Sequence, residues 1–158
     1  MPEKNTYGNE RHLSPHEAQP EPTAALAPDL IEVKTANLVG EALGWAVGRV
    51  EGLSLQLAEP GYNAVPWRVF ARYQGHATAH TKRYNPWEDW TLGGPLIDKH
   101  LGSAHHNPHL EDSSCRYSAG PAGAGIWLYG PNALVAFCRT LVLTKLGDTV
   151  QVPKELCQ

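Results

Sequence analysis

The strongest pattern in the sequence is the spacing of apolar residues near its carboxyl end. From residue 134 onward they recur at i, i+1, i+4, i+7, i+8 and i+12: Leu134, Val135, Cys138, Leu141, Val142 and Leu146. This spacing puts them on one face of an α-helix, which must be buried against other elements. Gly147 follows at the position where helices often end in a left-handed conformation. Any fold for this chain must therefore accommodate one long, half-buried helix near its end.

A second helix is predicted over residues 36–50, where apolar residues recur at intervals of three and four. Thr35 is a candidate N-cap, and Gly52 fits the C-terminal left-handed position. Three glycines repeat at every fourth residue inside this helix: Gly40, Gly44 and Gly48. Each glycine costs about 1 kcal/mol relative to alanine in a helix interior. We therefore expect the strip to let another element approach closely.

Short alternating segments predict strands at residues 31–33, 53–57 and 67–73, the last two as hairpin partners. Residues 115–118 and 125–129 predict a second hairpin, and residues 150–152 a final extended segment. Residues 74–94 and 103–114 are predicted to be loops, and residues 96–101 a short helix opened by Pro95 and closed by Gly102. The fold class predicted is α+β, with a small antiparallel sheet packed against two main helices.

The first 30 residues contain five prolines and few apolar residues, a composition typical of a disordered tail. They also carry two cations against five anions, so residues 31–158 hold 11 of each. A neutral body argues against binding duplex DNA or an anionic membrane, since both depend on clustered Lys and Arg. No membrane-length apolar run or signal-peptide order is present. We expect a tail over residues 1–30, one domain over residues 31–158 and a cytoplasmic location.

The cysteines and histidines predict no metal centre. Cys115, Cys138 and Cys157 are too widely spaced for a zinc knuckle, and we expect three reduced thiols with Cys138 buried. Six histidines lie in the body, but their spacing matches no helical or finger-type zinc motif: His76, His80, His100, His105, His106 and His109. We expect solvated histidines and no cofactor. A metal-dependent hydrolase that uses the loop histidines is kept as an alternative.

The candidate functional surface is an aromatic loop beginning at residue 84. Its indole rings suit stacking on a planar ligand or anchoring of a partner protein, with Asn85 and Asp89 as polar contacts. The competing interpretation is that the tryptophans cover the protein's own core and that Asp89 binds local N–H groups. The glycine pair before Pro95 could present N–H groups to an anion. The predicted site residues here are Tyr84, Asn85, Trp87, Asp89, Trp90, Gly93 and Gly94.

Four separated blocks together resemble the NinX-like family of phage and prophage proteins. They are KTANLVGEALGWAV (residues 34–47), YNPWEDW (84–90), GGPLI (93–97) and GPNALVAFCRTLVLTKLGDTVQVP (130–153). The resemblance covers residues 33–156, and the leader through Leu30 is an addition to the usual family start. It implies a prophage origin, a soluble cytoplasmic product and accessory work, and it supplies no catalytic residues.

We therefore expect a non-enzymatic phage accessory protein that contacts a small planar ligand or a host protein through the aromatic loop. Duplex nucleic acid and membranes are not expected as partners. One alternative is a sponge or sensor for a nucleotide-like molecule, in which Tyr129 would stack on the base and Arg139 would supply charge. The other alternative is the metal-dependent hydrolase named above.

Overall fold

The structure, a computed structural model, describes residues 28–75 and 77–157. Three α-helices lie in this part of the chain: α1 (Gly40–Val50), α2 (Trp90–Lys99) and α3 (Ala133–Leu146). Eight short strands accompany them: β1 (Leu30–Lys34), β2 (Ser54–Ala58), β3 (Arg68–Gln74), β4 (Ala79–Arg83), β5 (Ser103–His106), β6 (Tyr117–Gly120), β7 (Leu128–Gly130) and β8 (Thr149–Pro153). The predicted α+β class is confirmed. Residues 1–27 of the predicted tail lie outside the described residues, and Leu30 already belongs to β1.

The described strands form three small antiparallel sheets, where the sequence predicts a single one. Strand β1 pairs with β8, so the two ends of the described chain lie together. Strands β2, β3 and β4 form the second sheet, and β5, β6 and β7 the third. The predicted hairpin partners are confirmed, because β2 pairs with β3 and β6 pairs with β7.

Helix α3 lies at the centre of the core. Eight of its 14 residues are buried, and it packs against α1, α2 and all three strands of the β5–β7 sheet. Phe137 and Leu141 of α3 and Leu43 and Val47 of α1 are fully buried. The apolar periodicity of residues 134–146 is thus explained by burial of this helix against the other helices and a sheet.

Helix α1 begins four residues later than the sequence predicts. Residues Thr35–Asn37 form a single 3₁₀ turn, and α1 starts at Gly40 with no side-chain cap. Thr35 is not the N-cap, because its buried hydroxyl donates to the carbonyl of Gly147 at 2.6 Å. Gly40 has a φ of +55°, a left-handed conformation that favours glycine at this helix start. The threonine therefore ties the start of α1 to the end of α3.

The prediction of a loop over residues 74–94 is wrong, since this segment contains β4 and the beginning of α2. Strand β4 is mostly exposed and lacks apolar alternation, so only its pairing with β3 defines it. Helix α2 runs through Gly93, Gly94 and Pro95 because Asp89 caps its start. Pro95 removes a single N–H, the one that would bind the carbonyl four residues earlier. Of the predicted short helix over residues 96–101, residues 96–99 form the last turn of α2 and residues 100–101 lie beyond its end.

The prediction of a loop over residues 103–114 is also wrong at its beginning, where β5 pairs with β6. The turn into β5 is made by Leu101, whose φ is +51°, and not by a left-handed glycine. Gly102 serves a different purpose, since a Cβ there would lie 2.5 Å from Cε2 of Phe137. This glycine lets the chain pass directly over the central helix.

Candidate binding site at helix α2

The first half of the aromatic segment packs inward. The backbone N–H of Tyr84 donates to the carbonyl of Val69 at 2.9 Å, and the residue is only 3% exposed. Trp87 is 8% exposed and belongs to the hydrophobic core. Burial raises the pKa of the Tyr84 hydroxyl. The competing interpretation from the sequence therefore holds for these two rings, which contribute to the core instead of an exposed surface.

The glycine strip of α1 receives Trp87. A Cβ on Gly44 would lie 2.5 Å from Cζ3 of Trp87 and 2.9 Å from the carbonyl oxygen of Tyr84. A Cβ on Gly48 would lie 2.7 Å from Cδ2 of Leu55 in β2. The predicted close approach to this strip is confirmed at both positions, and Gly44 fixes how deeply Trp87 is inserted.

Asn85 and Asp89 form the turn that starts α2. The side-chain amide of Asn85 donates to Glu88 at 2.9 Å, and the backbone carbonyl of Asn85 accepts from the N–H groups of Glu88 and Asp89. Oδ1 of Asp89 accepts from the hydroxyl and the N–H of Thr91, at 2.6 and 2.9 Å. These bonds lower the pKa of the Asp89 carboxyl. Both predicted polar contacts are thus engaged in positioning the first turn of the helix.

Trp90 is the exposed ring of the segment. It is the first residue of α2 and is 60% exposed. Together with Gly94, Ile97, Asp98 and Leu101 it lines an open groove of about 470 Å³. Leu101, which also lines this groove, is 76% exposed. Gly102 completes the lining, and we call these six residues the α2 groove.

The two glycines of α2 differ in their surroundings. A Cβ on Gly93 would lie 2.5 Å from the Pro86 carbonyl oxygen and 2.6 Å from Leu134, so this glycine lets α2 pack on the core. Its N–H donates to the Asp89 carbonyl at 2.8 Å and is not available to an anion. Gly94 faces the groove, where the nearest atom to an added Cβ would be Cε3 of Trp90 at 3.8 Å. Gly94 thus forms the floor beside the exposed indole.

The opposite side of α2 holds a polar cluster that the sequence does not indicate. Glu51, at the end of α1, has a side chain only 8% exposed. Its carboxylate lies 2.7 Å from Nζ of Lys99 and 2.9 Å from Nε2 of His100. Burial acts to raise the pKa of Glu51, but the hydrogen bonds from Lys99 and His100 outweigh it and the pKa is lowered. The cluster therefore anchors the end of α2 to α1.

The family is decided by comparison with known proteins. The family described as Bacteriophage P22, NinX matches residues 34–145, about seven-tenths of the chain. The chain belongs to this NinX family. The matched residues include α1, α2 and the whole α2 groove, but neither β8 nor the leader. No curated protein matches the chain.

In this NinX protein, Tyr129 and Arg139 lie apart from the α2 groove, in and beside β7. Tyr129 is half exposed. The guanidinium of Arg139 donates to the carbonyls of Leu38 and Tyr129, each at 2.8 Å. Burial lowers the pKa of this guanidinium. Arg139 therefore ties α3 to the start of α1 and to β7, and two of its three nitrogens are already used.

The histidines of the NinX chain take up several separate positions. His80 lies in β4 and stacks on Tyr73, with ring centroids 5.7 Å apart, while His106 in β5 contacts Tyr117. His100 pairs with Glu51, so it is not the solvated residue that the sequence predicts. His76 lies outside the described residues. Within residues 28–75 and 77–157, no three His, Cys, Asp or Glu side chains come together as a metal site.

Cys115, Cys138 and Cys157 are free thiols, and Cys138 is fully buried as predicted. None of the helices in the described part of the chain has the length and apolar content needed to cross a membrane.

Proposed function

We propose that this NinX-family protein is a non-enzymatic phage accessory protein that binds a partner protein through the α2 groove. The observation that carries the proposal is that Trp90 and Leu101, which are 60% and 76% exposed, line the same groove. Full burial of a large apolar side chain contributes about 1.5–3 kcal/mol. Two such side chains held together on a helix supply the apolar anchors that protein interfaces use.

Several contacts hold the helix under the groove in place, which favours binding. Asp89 caps α2, Gly93 seats it on the core, and Lys99 and His100 fasten its end to Glu51. A partner would therefore meet an ordered helix face and would not have to order a loop on binding. Preorganisation of this kind lowers the entropic cost of association.

The chemistry of the groove indicates what the partner presents. Ile97 and Leu101 complement an apolar side chain, and Gly94 leaves room for it beside the Trp90 ring. The Asp98 carboxylate is exposed at the same groove and forms no ion pair with residues of the described ranges. We therefore propose a partner segment with an apolar residue flanked by Lys or Arg.

A protein partner is favoured over a small planar ligand by the shape of the groove. Trp90 is the single aromatic residue among those that line it, so a planar molecule would stack on one face only. Small-ligand sites usually enclose most of the ligand surface. The nucleotide alternative has no comparable support, because Arg139 is engaged with backbone carbonyls. The hydrolase alternative gains none from the separated histidines of the described ranges.

The proposal is tested by quantitative capture from lysates of phage-infected host cells, followed by reconstitution. Wild-type protein, Trp90→Ala and Asp98→Lys are compared with Ile126→Ala, which removes an exposed apolar residue outside the groove. A true partner is retained by wild type and Ile126→Ala and is lost from the other two variants. With that partner purified, we expect Trp90→Ala to weaken binding at least 30-fold by titration calorimetry, about 2 kcal/mol.

Two results would contradict the proposed function. One is capture of the same proteins in the same amounts by wild type, Trp90→Ala and Asp98→Lys. The other is a reconstituted affinity that Trp90→Ala leaves unchanged while Ile126→Ala reduces it. Circular dichroism of each variant checks that it is folded before binding is compared.

A further inference from the structure

A second pocket, of about 390 Å³, lies at the start of α1. Pro60, Pro66 and Trp67, from the connection between β2 and β3, line it together with Glu41 of α1. Glu155 closes it from the 3₁₀ turn Lys154–Cys157 that follows β8. None of these residues belongs to the α2 groove, so the pocket is independent of the proposed function.

The two carboxylates of the pocket are in different states. Both oxygens of Glu41 are occupied, one by the N–H of Val69 at 2.9 Å and the other by Arg83 at 2.6 Å. Oε2 of Glu155 is buried and has no hydrogen-bond partner in the described part of the chain. The neighbouring cation, Lys154, is paired with Asp29 at 2.7 Å. Glu155 therefore brings to the pocket a carboxylate that forms no ion pair within the described part of the chain, while the charge of Lys154 acts on it at longer range.

An unpaired buried carboxylate oxygen is unfavourable, since burial removes its water without replacing the hydrogen bonds. A cationic group in the pocket would stabilise the Glu155 carboxylate through its charge. Trp67 adds a second attraction, because its ring face is the best aromatic partner for a cation. The N-terminus of α1 would ordinarily favour an anion, but two carboxylates beside it oppose one.

We infer that this pocket binds the guanidinium or ammonium group of an arginine or lysine side chain. Arginine fits better than lysine, because its planar group stacks on an indole and donates in a fixed fork to a carboxylate. Pro60 and Pro66 provide apolar walls for the methylene stem. The pocket takes a residue within a peptide in preference to the free amino acid, whose α-carboxylate and α-ammonium would both lose water on entering it.

The probe for the test is N-acetyl-L-arginine amide, titrated into ¹⁵N-labelled full-length protein and followed by NMR. The controls are N-acetyl-L-citrulline amide, which is neutral and nearly the same shape, and free L-arginine. We expect saturable shifts of the Trp67 indole N–H and of the residue 39–41 amides, weaker binding of free arginine and no saturable shift with citrulline. Glu155→Gln should weaken binding of the blocked arginine tenfold or more, and Trp67→Leu should weaken it as well.

Two matched variants locate the effect. Glu111→Gln removes the same charge from an exposed loop outside the pocket and should leave the affinity unchanged. Trp90→Phe alters the α2 groove and should also leave the affinity for the blocked arginine unchanged. The pocket at α1 and the α2 groove are therefore tested separately, and one proposal can fail while the other holds.

Equal shifts with citrulline would overturn the inference, as would an unaltered affinity in Glu155→Gln. In a third contrary result, Glu155→Gln would lower the melting temperature and leave the binding unchanged. The carboxylate would then only stabilise the N-terminus of α1. Stronger binding of free arginine than of the blocked residue would contradict the preference for a side chain within a peptide.

Discussion

Trp87 and Trp90 are three residues apart in sequence, yet one belongs to the core and the other to the surface. Trp87 is inserted against Gly44 of α1 and is 8% exposed, while Trp90 lies on the groove side of α2 and is 60% exposed. The boundary between them is Asp89, whose side chain starts the helix. Aromatic composition alone does not distinguish an exposed residue that could bind a partner from a buried residue of the core.

The difference follows from what each ring meets. Trp87 lies in the turn before α2, where a glycine on the neighbouring helix leaves a space of its size. Trp90 begins the helix beside the open groove, and its ring stays mostly in solvent. Mutations at paired positions can therefore separate the contribution to folding from the contribution to binding.

The largest expected effect is on stability at Trp87. We expect Trp87→Ala to lower the free energy of unfolding by about 3–5 kcal/mol, because it empties a packed site between α1 and α2. Trp90→Ala should change it by less than about 1 kcal/mol, since the ring is mostly in solvent already. Urea unfolding followed by far-UV circular dichroism measures both. Equal losses in the two variants would show that the comparison is wrong.

The two glycines of α2 test the same contrast between the packed side and the open side of the helix. Gly93→Ala should destabilise the protein by about 1–3 kcal/mol, because the new Cβ meets the Pro86 carbonyl and Leu134. Gly94→Ala should be neutral or stabilising by up to about 1 kcal/mol, since alanine is the better helix former and has ordinary contacts there. Thermal unfolding of the two variants, measured side by side, compares their stabilities with that of the wild type. A destabilised Gly94→Ala would contradict the placement of this glycine on the open side.

The inner side of α2 should respond to acid through Glu51. Its pKa is lowered in the folded protein, so its contribution to stability is present above the ordinary value of 4.5 and is lost as the pH falls through the folded pKa. Glu51→Gln should cost about 1–2 kcal/mol at pH 7. It should also flatten the decline in stability below pH 4.5. Glu111→Gln, an exposed carboxylate, is the control, and a variant curve parallel to wild type would refute the assignment.

The smallest expected effect is on the reactivity of the cysteine thiols. Alkylation of the buried Cys138 reports whether the core stays packed. Burial raises the pKa of the Cys138 thiol to about 12, so the folded protein should not be alkylated there at neutral pH. Cys157 is exposed and should react there, more slowly than a free thiol because partial burial raises its pKa. Peptide mass spectrometry after brief iodoacetamide treatment measures each site. Trp87→Ala should increase labelling of Cys138 and Trp90→Ala should not; the reverse order would be incompatible with the core position of Trp87.

Much of the fold could be predicted because its elements have strong local patterns. The periodicity of residues 134–146, the alternation in β2 and β3 and the glycines spaced by four in α1 each record one buried face. Gly147 also ends α3, with a φ of +97°. These features are visible in the sequence because a regular element repeats its exposure along its own length.

Other elements have no local sequence pattern that predicts them. Strand β4 is polar and exists through its pairing with β3, and α2 crosses two glycines and a proline because its first turn is capped and its inner side is packed. Local propensity opposes both elements, and tertiary contacts override it. The division of the strands into three sheets likewise depends on partners distant in the chain.

The candidate site shows the same division. By itself the sequence determined that an aromatic segment precedes Gly93 and Gly94, that the chain resembles the NinX family and that two helices bury apolar faces. The tertiary structure alone decided that Trp87 lies in the core, that Trp90 and Leu101 share a groove, and that Glu51 meets His100, 49 residues away. The physical reason is that periodicity along one element reports which face is buried, whereas the partner of each side chain depends on how separate elements pack together.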